Sequence, residues 1–114
     1  METIPTLDEL LAKLLSVDGS DLHLKVGSPP AYRISGVLQL AELPKLSAAD
    51  TADFAEQVLT DRAREELAID HEADFAYGKP SLGRFRVNVY RQRGSINLVV
   101  RAVNPASQSF EELG

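Results

Sequence analysis

Cysteine is absent from the 114 residues, which excludes disulfides, thiol catalysis and cysteine-based zinc sites together. Histidine occurs twice, as His23 and His71, and neither has a third partner at metal-ligand spacing. No apolar stretch exceeds a few residues, so none can span a bilayer and no direct membrane insertion is expected. No basic-then-apolar leader opens the chain, from which a cytoplasmic protein is expected. The sequence also contains no Gly-x-x-x-x-Gly-Lys-Ser/Thr phosphate-binding loop. With no nucleophile–base pair and no metal constellation either, an enzyme complete within this chain is not expected.

What remains is the composition of an ordinary folded domain: hydrophobic residues make up 44% and charged residues 25%. The length fits one compact unit and leaves no room for two. Net charge is -5, but its sign is unevenly spread. Residues 1–70 hold six Lys and Arg against thirteen Asp and Glu. Between 79 and 105 all six charges are basic: Lys79, Arg84, Arg86, Arg91, Arg93 and Arg101. A local positive field on an acidic protein points to an anionic partner for that segment.

Periodicity places this segment in a fold. Leu7, Leu10, Leu11, Leu14 and Leu15 follow Thr6 at helical spacing, with Glu9 positioned for a capping box and Gly19 available as a left-handed stop. Asp21–Val26 alternates with period two and predicts a strand with Leu22, Leu24 and Val26 facing a core. Ala31–Ile34 and Val37–Leu40 predict two strands around a tight turn at Ser35-Gly36. Ser47 opens a helix carrying Thr51, Phe54, Ala55, Val58 and Leu59, and Thr60-Asp61 starts a shorter one carrying Ala63 and Leu67. Strands follow at Glu72–Tyr77, Arg84–Tyr90 and Ile96–Val103, with a turn at Gly78-Lys79-Pro80. The order of elements predicts an α+β fold with an antiparallel sheet of about six strands.

The basic hairpin carries the most chemistry. A two-residue turn at Arg93-Gly94 pairs Gln92 with Ser95, and counting outward sets Arg86 opposite Arg101. Phe85, Val87, Val89, Ile96, Leu98, Val100 and Ala102 then share an uninterrupted core face, which supports that register. The other face holds Arg84, Arg86, Asn88, Tyr90, Ser95, Asn97 and Arg101. Two arginines directly opposite repel at a cost of a few tenths to about 1 kcal/mol. Guanidinium groups grip phosphate or carboxylate oxygens bidentately and stay charged at physiological pH. The plain alternative is that these arginines are solvated or pair with carboxylates of the acidic half.

Ser20-Asp21-Leu22-His23-Leu24, then Gly27-Ser28-Pro29-Pro30 with Arg33 and Gly36, resembles the opening of PilT-type type IV pilus retraction ATPases. Glu72-Ala73-Asp74-Phe75 and Arg84-Phe85-Arg86-Val87-Asn88 resemble later strands of the same family. Ser109-Phe110-Glu111-Glu112-Leu113-Gly114 resembles the segment leading into its catalytic domain. The resemblance implies a PAS-like N-terminal domain over 1–104 and a connector over 105–114 toward a RecA-like ATPase domain absent from this sequence. It implies membership of a homo-hexamer that uses ATP with Mg2+, works in twitching motility, and sits at the cytoplasmic face of the inner membrane against a pilus platform protein. It also implies that two N-terminal-domain arginines, matching Arg86 and Arg101, reach the nucleotide phosphates held by the other domain. Arg84, which shares a strand face with Arg86, is read as a candidate third phosphate contact. This chain by itself is not expected to bind nucleotide tightly.

Other residues have simpler readings. His23, between Asp21 and Lys25 on a polar face, is read as solvated or hydrogen-bonded, and Asp21 with Arg33 as a structural ion pair on neighbouring strands. Glu72 and Asp74 lack any partner that would make them a catalytic acid pair. A stand-alone PAS-like ligand-binding or dimerisation module is the alternative function, and it requires an enclosed apolar pocket. A nucleic-acid role for the hairpin is disfavoured by the net charge of -5 and the 6% aromatic content.

Overall fold

The computed structural model describes residues 4–103 of the chain. Asn104, the connector expected over 105–114 and the segment from Ser109 to Gly114 lie outside the described residues.

Helix α1 (Leu7–Ser16) starts at a reciprocal capping box. The Thr6 N–H donates to Glu9 Oε1 at 2.9 Å, and the Glu9 N–H donates to Thr6 Oγ1 at 3.1 Å. Two backbone donors that a helix start leaves unpaired are thereby satisfied. Leu7, Leu10, Leu11 and Leu14 form its buried stripe, while Leu15 lies outside it and is 38% exposed. The left-handed turn after the helix falls on Asp18 (φ 56°), not on Gly19 as the sequence suggests. Gly19 serves close approach instead. A Cβ there would lie 2.7 Å from Leu14 Cδ1 and 3.2 Å from the Arg33 carbonyl oxygen.

Strand β1 (Asp21–Leu24) ends earlier than its alternation predicts. The Val26 N–H donates to Asn97 Oδ1 at 2.9 Å, and Val26 bridges Leu46, so a side-chain amide substitutes for the next strand hydrogen bond. Strands β2 (Ala31–Ile34) and β3 (Val37–Leu40) join through Ser35 (φ 51°) and Gly36 (φ 80°), the two left-handed residues of a type I′ hairpin turn. Ser47 and Asp50 make a second capping box for α2 (Ala48–Val58), and the Thr60 side chain caps α3 (Asp61–Asp70). Strands β4 (Glu72–Lys79) and β5 (Gly83–Gln92) run further than expected, so Gly78 and Lys79 belong to the strand and the turn is Pro80-Ser81-Leu82. Strand β6 (Ser95–Ala102) follows the Arg93-Gly94 turn in the anticipated register, with Gln92 opposite Ser95 and Arg86 opposite Arg101.

The six strands form one sheet in the order β3-β2-β1-β6-β5-β4, and every neighbouring pair is antiparallel. Two three-stranded meanders thus meet where β1 pairs with β6. Helix α1 contacts β1, α2 contacts β6, and α3 contacts β4 and β5. Their apolar residues join Leu22, Leu24, Phe85, Val87, Val89, Leu98 and Val100 in a single core. Burying each such large side chain contributes about 1.5–3 kcal/mol, far more than the repulsion of one arginine pair. Lys79, at the end of β4, reaches the Asp8 carboxylate at the start of α1 and ties the outer hairpin to the helical layer. The opposite face of the sheet carries the charged side chains.

The close approach at Gly19 generates a test. Gly19→Ala should lower the denaturant midpoint with an unchanged slope, at a cost of about 1–3 kcal/mol, because the added methyl meets a core leucine and a strand carbonyl.

Candidate functional site

The pleat fixes which side chains meet on the uncovered face, because residues directly opposite across an antiparallel sheet point the same way. Arg33 of β2 pairs with Asp21 of β1, Asp21 with Arg101 of β6, Arg101 with Arg86 of β5, and Arg86 with Ala76 of β4. One row of the sheet therefore reads plus, minus, plus, plus, then a methyl group. Its left half is balanced, whereas the boundary between β6 and β5 carries two adjacent positive charges. The next row holds His23, Val99, Asn88 and Asp74, again by direct pairing. Apart from Ala76, these two rows together with Glu72 line an open recess of about 570 Å³.

Carboxylates approach both arginines without engaging them closely. Arg86 Nη2 stands 3.7 Å from Asp74 Oδ1, and Arg101 Nε stands 4.0 Å from Asp21 Oδ1. Neither contact is within hydrogen-bond reach. The side chains of Arg86 and Asp74 are 56% and 62% exposed, so that pairing falls among the surface contacts worth about 0–1 kcal/mol, while Arg101, 68% exposed, meets the far less exposed Asp21 only at the longer distance. A phosphate, which accepts two parallel hydrogen bonds from one guanidinium, would displace such partners. Among the described residues the arginines are near carboxylates, as the plain reading allows, but at distances beyond a hydrogen bond.

Asp21 is the anchor of the recess. Its side chain is 12% exposed, and its Oδ2 lies 3.3 Å from His23 Nε2 and 3.4 Å from Arg33 Nε. Burial pushes its carboxyl up, but the Ser20 side chain, His23 and the Arg101 charge outweigh burial, and the net value lies below the ordinary one. The sequence paired Asp21 with Arg33 but not with Arg101, because β1 and β6 are distant in the chain. On the far side, Asn88 Nδ2 donates to Glu72 Oε1 at 2.9 Å and to Asp74 Oδ2 at 3.4 Å. Those two carboxylates flank the recess as hydrogen-bonded surface groups.

Arg84 shares the face but not the recess. It lies opposite Gly78 and lines a neighbouring hollow of about 480 Å³ with Tyr77, Phe85, Arg86 and Val103. Arg86 borders both hollows, while Arg101 borders the first. Arg91 and Arg93 are exposed at the hairpin tip. An apolar cleft of about 570 Å³ lies between α1 and β3, lined in part by Leu10, Tyr32, Ile34, Leu40 and Leu43. Leu40 in its wall is 61% exposed, so the cleft opens to solvent and is not the enclosed pocket a sensor module needs. No helix among the described residues is long and apolar enough to cross a membrane.

Comparison with known proteins places this geometry among relatives. No protein-family model matches the chain. Over 108 residues, 95% of this chain, it is 32% identical to the type IV pilus retractation ATPase PilT of Pseudomonas aeruginosa and covers 31% of that protein. Over 106 residues it is 30% identical to the type IV pilus ATPase PilU of the same organism, covering 93% of this chain and 28% of the relative. The crystal structure of the pilus retraction motor PilT with bound ADP superposes with a TM-score of 0.82 at 33% identity, over 90% of this chain and 30% of that one. The chain thus spans about a third of the length of the curated relatives it matches.

The lowered Asp21 carboxyl predicts the acid behaviour of the fold. An aspartate whose folded value is depressed contributes stability that is present above the unfolded value of about 3.9 and is lost as pH falls through the folded value. Unfolding midpoints measured from about pH 5 down to pH 2 should fall for the parent and fall less steeply for Asp21→Asn.

Proposed function

We propose that this chain, which belongs with the N-terminal domains of the PilT-type secretion ATPases, is the nucleotide-sensing and ring-assembly domain of a hexameric ATPase that powers type IV pilus retraction. In this reading Arg86 and Arg101 reach the phosphates of ATP held by a RecA-like domain elsewhere in the longer protein, and Mg2+ accompanies the nucleotide there. The single observation carrying it is the direct opposition of two exposed arginines whose carboxylate contacts are too long for hydrogen bonds. That arrangement fits a polyanion in charge, in planarity and in access.

Hydrolysis spreads negative charge over the transferred phosphoryl oxygens, and arginine forks neutralise it best in a closing cleft. Arg86 and Arg101 would supply that charge from a rigid platform, because β5 and β6 are locked by the buried face beneath them. A difference in their contacts between the triphosphate and diphosphate states would bias the angle between the two domains. Repeated around a ring, that bias is a power stroke. The acidic helical faces, including Asp53 and Glu56, are the surfaces proposed to meet basic neighbours in the ring. A location at the cytoplasmic face of the inner membrane, against a pilus platform protein, follows from the same reading, with no nucleic acid involved.

Two measurements test the proposal. Inorganic tripolyphosphate titrated into the chain should shift the backbone resonances of β5 and β6, and Arg86→Ala or Arg101→Ala should weaken binding by about ten-fold or more. In the longer protein both substitutions should abolish most ATP turnover while the ring still assembles. Unchanged turnover in both variants would defeat the reading.

A further inference from the structure

Two arginines and a histidine share the two oxygens of Asp21, and they share them unequally. Oδ2 lies 3.3 Å from His23 Nε2 and 3.4 Å from Arg33 Nε, whereas Oδ1 meets Arg101 at 4.0 Å. Arg33 is further fixed by donating from Nη1 to the Gly36 carbonyl oxygen at 3.1 Å, so one guanidinium bridges the carboxylate and the β2–β3 turn. Asp21 is nearly buried, and a nearly buried carboxylate stripped of its cations is costly. Arg101 can therefore leave Asp21 without stranding it, provided Arg33 stays.

We infer that Arg33 and Asp21 are positioning residues that set how readily Arg101 departs to an anion, with Arg33 holding the carboxylate so that Arg101 is loosely held. The inference rests on the phosphate-gripping reading of Arg86 and Arg101. Without Arg33, Asp21 turns to its remaining strong cation, and Arg101 becomes a tight internal partner. Without Asp21, the role of Arg33 disappears. A residue acting through another predicts this dependence, whereas a residue that touches the anion, or merely adds to the local positive field, acts in either background.

The test is a double-mutant cycle read by tripolyphosphate affinity of the full chain. Arg33→Met should weaken binding about five-fold in the parent and less than about two-fold in an Asp21→Asn background. Asp21→Asn alone should tighten binding, and Arg33→Lys, which keeps the charge, should stay within about two-fold of the parent. An equal loss from Arg33→Met in both backgrounds overturns the inference, since Arg33 would then act directly on the anion. Without any anion, 15N spectra should show slower solvent exchange of the Arg101 Nε–H in Arg33→Met than in the parent, and no change there also overturns it. Tripolyphosphate binding that ignores Arg86→Ala and Arg101→Ala would defeat the gripping reading instead, while the Arg101 Nε–H signal still decides the role of Arg33.

Discussion

Two like charges held face to face are the constraint on which the uncovered surface of this domain depends. Arg86 and Arg101 are opposite because the β5–β6 register puts them there, and that register is fixed from beneath. Val87, Val89, Leu98 and Val100 are almost fully buried, and a slip of one residue would turn the buried pair of the slipped strand to solvent. The burial at stake outweighs the repulsion many times over. The helices contact the sheet through this apolar layer, and the arginines project from the other side.

Much of this was legible in the sequence because it is local. The Arg93-Gly94 turn and the alternation on either side determine the hairpin, and the capping box at Thr6 and Glu9 determines the first helix. Misreadings arose where a local signal had a non-local cause. Gly19 looks like a helix stop, yet its conformation is ordinary and its lack of a side chain accommodates Leu14 and the Arg33 carbonyl. Val26 looks like strand, yet the amide of Asn97 takes its N–H. Gly78 and Lys79 look like turn, yet pairing with β5 carries them into the strand. No local pattern could place Asp21 beside Arg101, because that contact depends on which strands become neighbours.

The carboxylates of the recess set how far the arginine pair is compensated. Had Asp74 and Asp21 closed on the arginines at hydrogen-bonding distance, the guanidiniums would be structural and an incoming anion would face strong competitors. At 3.7 and 4.0 Å they temper the repulsion between Arg86 and Arg101 without satisfying either. In the proposed reading, a platform that seizes and releases phosphate in turn benefits from such partial compensation. Very strong uncompensated charge would favour holding, and full pairing would favour neither.

The sheet order carries a kinetic consequence. Each meander, β1-β2-β3 and β4-β5-β6, joins strands that are neighbours within its own stretch of chain, although the seam between β1 and β6 joins Asp21 to Arg101, about eighty positions apart. Closing that seam requires the greatest loss of chain freedom, and long-range pairing of this kind slows folding. The recess straddles the seam, with its anchoring carboxylate on one meander and its arginine pair on the other. A chain whose halves have formed but not docked would hold the guanidinium pair without its anchor, so the complete recess exists only once the seam has closed.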